Sequence, residues 1–171
     1  MKLTNSKIIR RGALKPSVVP DGFALVVDTR EQRPLFVDGP GDMDVITDTL
    51  HYGDYTIRGF ENIFAIERKK MSDFYSYIGK QRDLTIRKMR CFREMVSSGG
   101  FVGLVVEASE SDVLAGYLMS RVSPETARQA LVSFEIRYGV HVYYSKSRND
   151  IARWILDRAI KFYRVMREST I

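Results

Sequence analysis

Apolar residues along this chain fall into two kinds of run. Short continuous runs read as buried strands, because a strand covered on both faces needs no polar alternation. Phe23-Ala24-Leu25-Val26-Val27 is the first such run and it ends at Asp28. Val45-Ile46-Thr47 is a second short strand. After Gly53, residues 54–58 form a third, and residues 63–69 a fourth. Gly59 marks the turn between these two, so a hairpin is expected. Residues 101–107 and 140–144 are the later strands. The other runs have helical spacing. Ser72 is expected to cap a short helix, with Asp73 in a first turn whose dipole favours negative charge. Over residues 82–97, Leu84, Met89, Cys91, Phe92, Met95 and Val96 share one side of a helix, and Arg82, Arg87, Arg90 and Arg93 take the other. Gly99-Gly100 ends it. Ser123-Pro124-Glu125 opens a further helix with a cap, a proline and an acid in order. Ala127, Ala130, Leu131 and Phe134 follow at helical spacing, and Gly139 stops it. A final apolar stripe runs through Ile151, Ile155, Ala159, Phe162 and Met166.

Strands cluster first, and helix and strand then alternate. That order predicts an α/β fold, a mixed central sheet flanked by helices in a single domain. The later strands are expected to be parallel. Residues 1–22, with Lys2, Lys7, Arg10, Arg11 and Lys15, read as a basic lead-in, and residues 23–171 as the folded domain.

Charge changes the picture. Lys and Arg total 27 against 21 Asp and Glu, giving a net charge of +6 over 171 residues. Such a balance favours a polyanion, because each phosphate neutralised releases condensed counterions. A single cysteine, Cys91, excludes a disulfide framework and a Cys-based zinc site, and His51 and His141 are too few for a His-rich one. No apolar run is long enough for a membrane span, and the start lacks a secretory hydrophobic region. An intracellular protein is expected, cytoplasmic or in the nucleoid if prokaryotic or viral, nuclear if eukaryotic.

Candidate chemistry sits on the fourth strand. Side chains alternate along a strand, so Glu67 and Lys69 share one face and Arg68 takes the other. If the third and fourth strands pair across Gly59, Asp54 reaches the edge that holds Glu67. Two carboxylates suit Mg²⁺ or Mn²⁺, which prefer oxygen ligands. An adjacent ammonium can place an attacking water or stabilise charge on a phosphate. Asp28 stands at the carboxyl end of the first strand, where open α/β sheets bind ligands. Asp28 and Glu31 can reach a metal directly or through water, while Arg30 and Arg33 can hold phosphate through two parallel hydrogen bonds. The basic run Lys69, Lys70, Lys80, Arg82, Arg87, Lys88, Arg90 and Arg93 begins at this strand and suits a DNA backbone.

The residues Val27-Asp28-Thr29-Arg30-Glu31, Gly53-Asp54-Tyr55 and Glu67-Arg68-Lys69 followed by Asp73 resemble the XPF/Hef-type nuclease domain. This is the catalytic module of structure-specific endonucleases that cut branched DNA, within the restriction-endonuclease-like group. Ile78-Gly79-Lys80-Gln81-Arg82, the strand Leu104-Val105-Val106-Glu107 and the helix residues 131–138 extend the likeness, which runs over residues 23–165. The resemblance implies Asp54 and Glu67 as metal ligands, Asp28 completing the acidic cluster, and Lys69 as the catalytic lysine. It implies Arg68, Asp73 and Arg82 as supporting or DNA-contacting residues beside Arg30, Arg33, Lys70, Arg87 and Arg90. The implied reaction is Mg²⁺- or Mn²⁺-dependent hydrolysis leaving a 5′-phosphate and a 3′-hydroxyl, in repair, recombination or replication. Family members usually add a tandem helix-hairpin-helix domain, and some a helicase. Neither is expected within these residues. A homodimer through the nuclease domain is implied, and a partner subunit can supply the missing DNA grip. The competing reading is a non-catalytic DNA-binding or scaffolding partner of another nuclease; such partners lose their acidic residues, and this chain keeps them.

Overall fold

Among the described residues, four strands come first and two further strands are then interleaved with five helices, in the α/β class the pattern predicts. The structure, a computed structural model, describes residues 18–169 apart from 40 and 42. The basic side chains of the lead-in, Lys2 to Lys15, lie outside the described residues. The chain folds as two compact units. One holds the residues up to Glu61 together with those from Arg148 onward, and the other holds Asn62–Ser147.

In the first unit, β1 (Ala24–Asp28) is the middle strand. It pairs in parallel with β2 (Asp44–Asp48) and antiparallel with β3 (Tyr55–Ile57), so the pairing is mixed as expected. Val26 faces Ile46 on one side and Thr56 on the other. All five β1 residues are buried, which is why its sequence shows no alternation. The helix α5 (Arg148–Glu168) completes this unit. It buries Ile151, Ile155 and Ala159 as the stripe predicts, and Trp154 joins them in the core. Rings lock the helix to the unit. Phe23 and Phe60 meet Tyr163 edge-on at 5.5 and 5.8 Å, and the Tyr163 hydroxyl donates to the Asp21 carbonyl at 3.1 Å.

In the second unit, β4 (Phe64–Lys70), β5 (Phe101–Glu107) and β6 (His141–Tyr144) pair in parallel in that order, as expected for the later strands. The helix α1 (Met71–Ile78) follows β4 without a loop. Ser72 is therefore not its cap. Lys70 holds the capping position in extended conformation with no side-chain bond, and Ser72 lies within the first turn beside Asp73. The helix α2 (Arg82–Ser97) buries Thr85, Met89, Phe92 and Met95. Leu84 faces solvent at 64% exposure, against expectation. Its place on the buried stripe goes to Thr85, whose hydroxyl donates to the Tyr77 carbonyl at 2.6 Å.

A short helix, α3 (Glu110–Ala115), stands where the apolar pattern gives no element. Its signature is the box of Ser109 and Asp112, each side chain bonded to the other's backbone N–H. The helix α4 (Pro124–Tyr138) starts on the Ser123 cap and stops at Gly139, in the left-handed conformation a glycine adopts without strain. Among the described residues, no helix is long and apolar enough to cross a membrane.

Candidate active site

The first unit gathers polar groups around Asp28. The chain leaves the sheet at this residue, and its side chain is buried to 1% exposure. Oδ1 accepts from the Arg30 backbone N–H at 2.7 Å and from Arg30 Nε at 2.8 Å. Oδ2 accepts from Arg30 Nη2 at 2.7 Å and from the Leu50 backbone N–H at 2.9 Å. A carboxylate offers about four acceptor positions, so these four donors fill it. The Arg30 side-chain bond is the largest of the effects that hold the Asp28 carboxyl below its ordinary range; burial opposes it, and the two backbone donors add to it. Arg30 itself is two-thirds exposed, and its Nη2 also donates to the Leu50 carbonyl at 2.5 Å. Asp54, half-buried, lies in the same unit just before β3, and its carbonyl accepts from the Asp28 N–H at 2.9 Å. Arg33 is exposed, and Glu31 accepts from its backbone N–H at 2.9 Å.

The second unit holds the Glu67 cluster. Glu67 lies on β4 at 1% exposure. Its Oε1 meets Lys69 Nζ at 2.5 Å and Lys88 Nζ at 2.9 Å, and its Oε2 accepts from Lys88 at 3.0 Å. Burial pushes the Glu67 carboxyl up, but the two ammonium charges outweigh it and leave the group below its ordinary range. Glu67 is thus a buried carboxylate that stays ionised. Both ammoniums also lie over the Tyr77 ring, Lys69 at 5.5 Å and Lys88 at 5.9 Å. Arg68 takes the opposite side of the strand, as alternation requires, and pairs with Glu107 of β5.

Glu67 and Lys69 are therefore brought together as the sequence predicts. Arg68 is an 8%-exposed structural ion pair with Glu107, turned away from Glu67. Asp73, Lys70, Arg82, Arg87 and Arg90 are all exposed. Arg82 lines a groove of about 840 Å³ together with Tyr77, Gln129 and Arg137. Lys88 is the partner that motif reading misses, since the basic run assigns it to the DNA backbone with its neighbours. Helical spacing carries a signal all the same. Lys88 is three residues after buried Thr85 and four before buried Phe92, which puts it on the inner stripe of α2 rather than with exposed Arg87 and Arg90.

The donor set is all oxygen. Among the described residues, no three His, Cys, Asp or Glu side chains form a ready-made metal cage. Mg²⁺ asks for less, since it is commonly held by one or two carboxylates while keeping waters or taking phosphate oxygens. An ionised buried Glu67 fits that requirement.

A family model matches residues 27–157 and is described as the ERCC4 domain. The chain belongs to the ERCC4 domain family. This family is the XPF nuclease family of structure-specific DNA endonucleases, as the motifs suggest. Two solved structures share the fold. XPF from Aeropyrum pernix aligns at 18% identity with a TM-score of 0.59, over 82% of this chain and 61% of that one. XPF from Aeropyrum pernix in complex with DNA aligns at 19% identity with a TM-score of 0.56, over 82% and 64%. This chain thus spans about three-fifths of the length of the structures it matches. No curated protein matches it significantly. Within the ERCC4 domain, the Glu-Arg-Lys motif is the strand that carries the Glu67 cluster.

Proposed function

We propose that this ERCC4 domain is a divalent-metal-dependent endodeoxyribonuclease. Its substrate is branched or flap and fork DNA, and its products carry a 5′-phosphate and a 3′-hydroxyl. One observation carries the reading: Glu67 is a buried carboxylate paired with Lys69 at 2.5 Å, on the strand bearing the family motif. A structural glutamate at such a site is normally neutral or replaced by an apolar residue, because isolated charge is costly to bury.

Glu67 would supply carboxylate oxygen to Mg²⁺ or Mn²⁺, and the resemblance of Gly53-Asp54-Tyr55 to the family motif makes Asp54 the second candidate ligand. When bound, the metal would polarise the phosphodiester and acidify a water. Lys69 donates hydrogen bonds to the attacking water or to a phosphate oxygen, where negative charge grows in the transition state. Asp28, its acceptors filled, serves the acidic set through water and by fixing the Arg30 fork. Arg30, Arg33, Lys70, Arg82, Arg87 and Arg90 bind backbone phosphates, while Arg68 and Asp73 support the strand and the helix start after it. The A. pernix relative in complex with DNA supports a DNA substrate. A homodimer, or a partner subunit, supplies further grip, and the enzyme works inside the cell on repair, recombination or replication intermediates.

The test is cleavage of flap, fork and linear duplex DNA with Mg²⁺ or Mn²⁺, with products mapped. Wild type should cut a branched substrate, and Glu67→Gln and Asp54→Ala should lose activity by on the order of 10³-fold while still binding DNA. If no substrate is cut and Mn²⁺ binding is the same in Glu67→Gln as in wild type, the chain is a non-catalytic partner and the proposal is wrong.

A further inference from the structure

Glu67 has two cations, and they differ in origin. Lys69 sits two residues along the same strand, where its Cα cannot move relative to Glu67. Lys88 comes from α2, 21 residues away in sequence, and bridges both carboxylate oxygens at 2.9 and 3.0 Å. Lys69 meets Oε1 at 2.5 Å. A divalent cation would seek the same carboxylate. An ammonium that spans both of its oxygens competes with the cation, because like charges this close repel strongly.

The Lys88 side chain is also able to leave. It is 32% exposed, against 21% for Lys69, so its head lies at the mouth of the cluster. Four rotatable carbons carry it, and an ammonium hydrates readily once it swings out. The Tyr77 ring offers a resting contact close to its present one.

We infer that Lys88 is a displaceable counter-ion: its ammonium occupies the Glu67 carboxylate until a divalent cation takes those oxygens, and it then swings outward. Lys88 is a positioning residue that keeps Glu67 in place before the metal arrives and sets how tightly the metal binds. This inference rests on the proposed metal-dependent reading and extends it to a residue outside the Glu-Arg-Lys motif.

The test uses Mg²⁺ alone with the full chain. Calorimetric titration compares wild type, Lys88→Met, Lys88→Gln and Glu67→Gln. In parallel, the Lys88 ammonium is followed by ¹H–¹⁵N spectroscopy, where a side chain held in an ion pair gives a sharp resonance. Both Lys88 variants should bind Mg²⁺ more tightly than wild type, by on the order of tenfold for one competing charge removed. The wild-type Lys88 resonance should be absent in Glu67→Gln and should be lost as Mg²⁺ saturates. If Mg²⁺ binds through Glu67 but equally or more weakly in Lys88→Met and Lys88→Gln, or leaves the Lys88 resonance unmoved, the inference is overturned and the metal-dependent reading stands. If no variant shows Glu67-dependent Mg²⁺ binding while the Lys88 resonance still depends on Glu67, the metal-dependent reading itself fails and the inference falls with it.

Discussion

Replacing Asp28 with alanine should cost the fold about 3–4 kcal/mol, and the geometry says where the loss arises. The carboxylate takes four donors, two from the backbone and two from Arg30. The Leu50 N–H is the costly one. It is buried, and without Asp28 it loses its acceptor, a loss of about 1–3 kcal/mol for a buried donor. The Arg30 N–H bond closes the turn after β1 and adds about 1 kcal/mol. The guanidinium pair contributes least, about 0–1 kcal/mol, because Arg30 is two-thirds exposed and water screens it. Against a typical total of about 5–15 kcal/mol, the loss is a large share of the stability.

Urea unfolding followed by circular dichroism measures it directly. The midpoint should fall in Asp28→Ala while the denaturant slope stays constant. The same experiment has a pH arm. The carboxyl of Asp28 titrates below its ordinary 3.8 in the folded chain, chiefly because of Arg30. A group whose folded value is depressed gives stability that is present above its unfolded value and is lost as pH falls through the folded one. The gap between wild type and Asp28→Ala should therefore be constant from neutral pH down to about 4 and narrow in stronger acid. A gap below about 1 kcal/mol at neutral pH, or one that does not narrow in acid, refutes the reasoning.

Gly100→Ala should destabilise the chain by about 1–3 kcal/mol or more, since an added Cβ would lie 2.1 Å from the Ile63 carbonyl oxygen and 2.6 Å from that of Met95, and neither backbone atom can swing away; thermal unfolding reads it, and an unchanged midpoint contradicts it. Ser123→Ala should cost about 1 kcal/mol by removing the cap bonded to the Thr126 N–H, with Ser123→Asp keeping most of it. Arg87→Ala and Arg90→Ala should each reduce the slope of log affinity against log salt for DNA by about one, with little effect on stability, because both face solvent. Equal slopes in fluorescence anisotropy titrations would remove these residues from the DNA surface.

Much of the fold was legible because the features that form it are local. Five buried β1 residues leave an uninterrupted apolar run, and Ser123, Pro124 and Gly139 punctuate α4 at both ends. The misreadings arise where a neighbouring element, rather than the local pattern, decides the outcome. Leu84 is apolar yet exposed, because Thr85 takes the inward place by donating to a carbonyl of the preceding helix. Ser72 has the chemistry of a cap, but β4 continues to Lys70 and uses up the position. Within the candidate site, strand alternation alone placed Glu67 with Lys69. Nothing in the motif says that Arg68 pairs with Glu107, because that needs the parallel register of β4 and β5, which sets Lys70 opposite Glu107.

A strand whose first five residues are buried thus ends on four charged residues in a row, Glu67 to Lys70. The two buried ones are answered by other side chains. Glu67 is met by Lys69 along the strand and by Lys88 from α2, and Arg68 by Glu107 from β5. Strand alternation thus puts the Arg68–Glu107 pair on one side of β4 and Glu67 with Lys69 and Lys88 on the other.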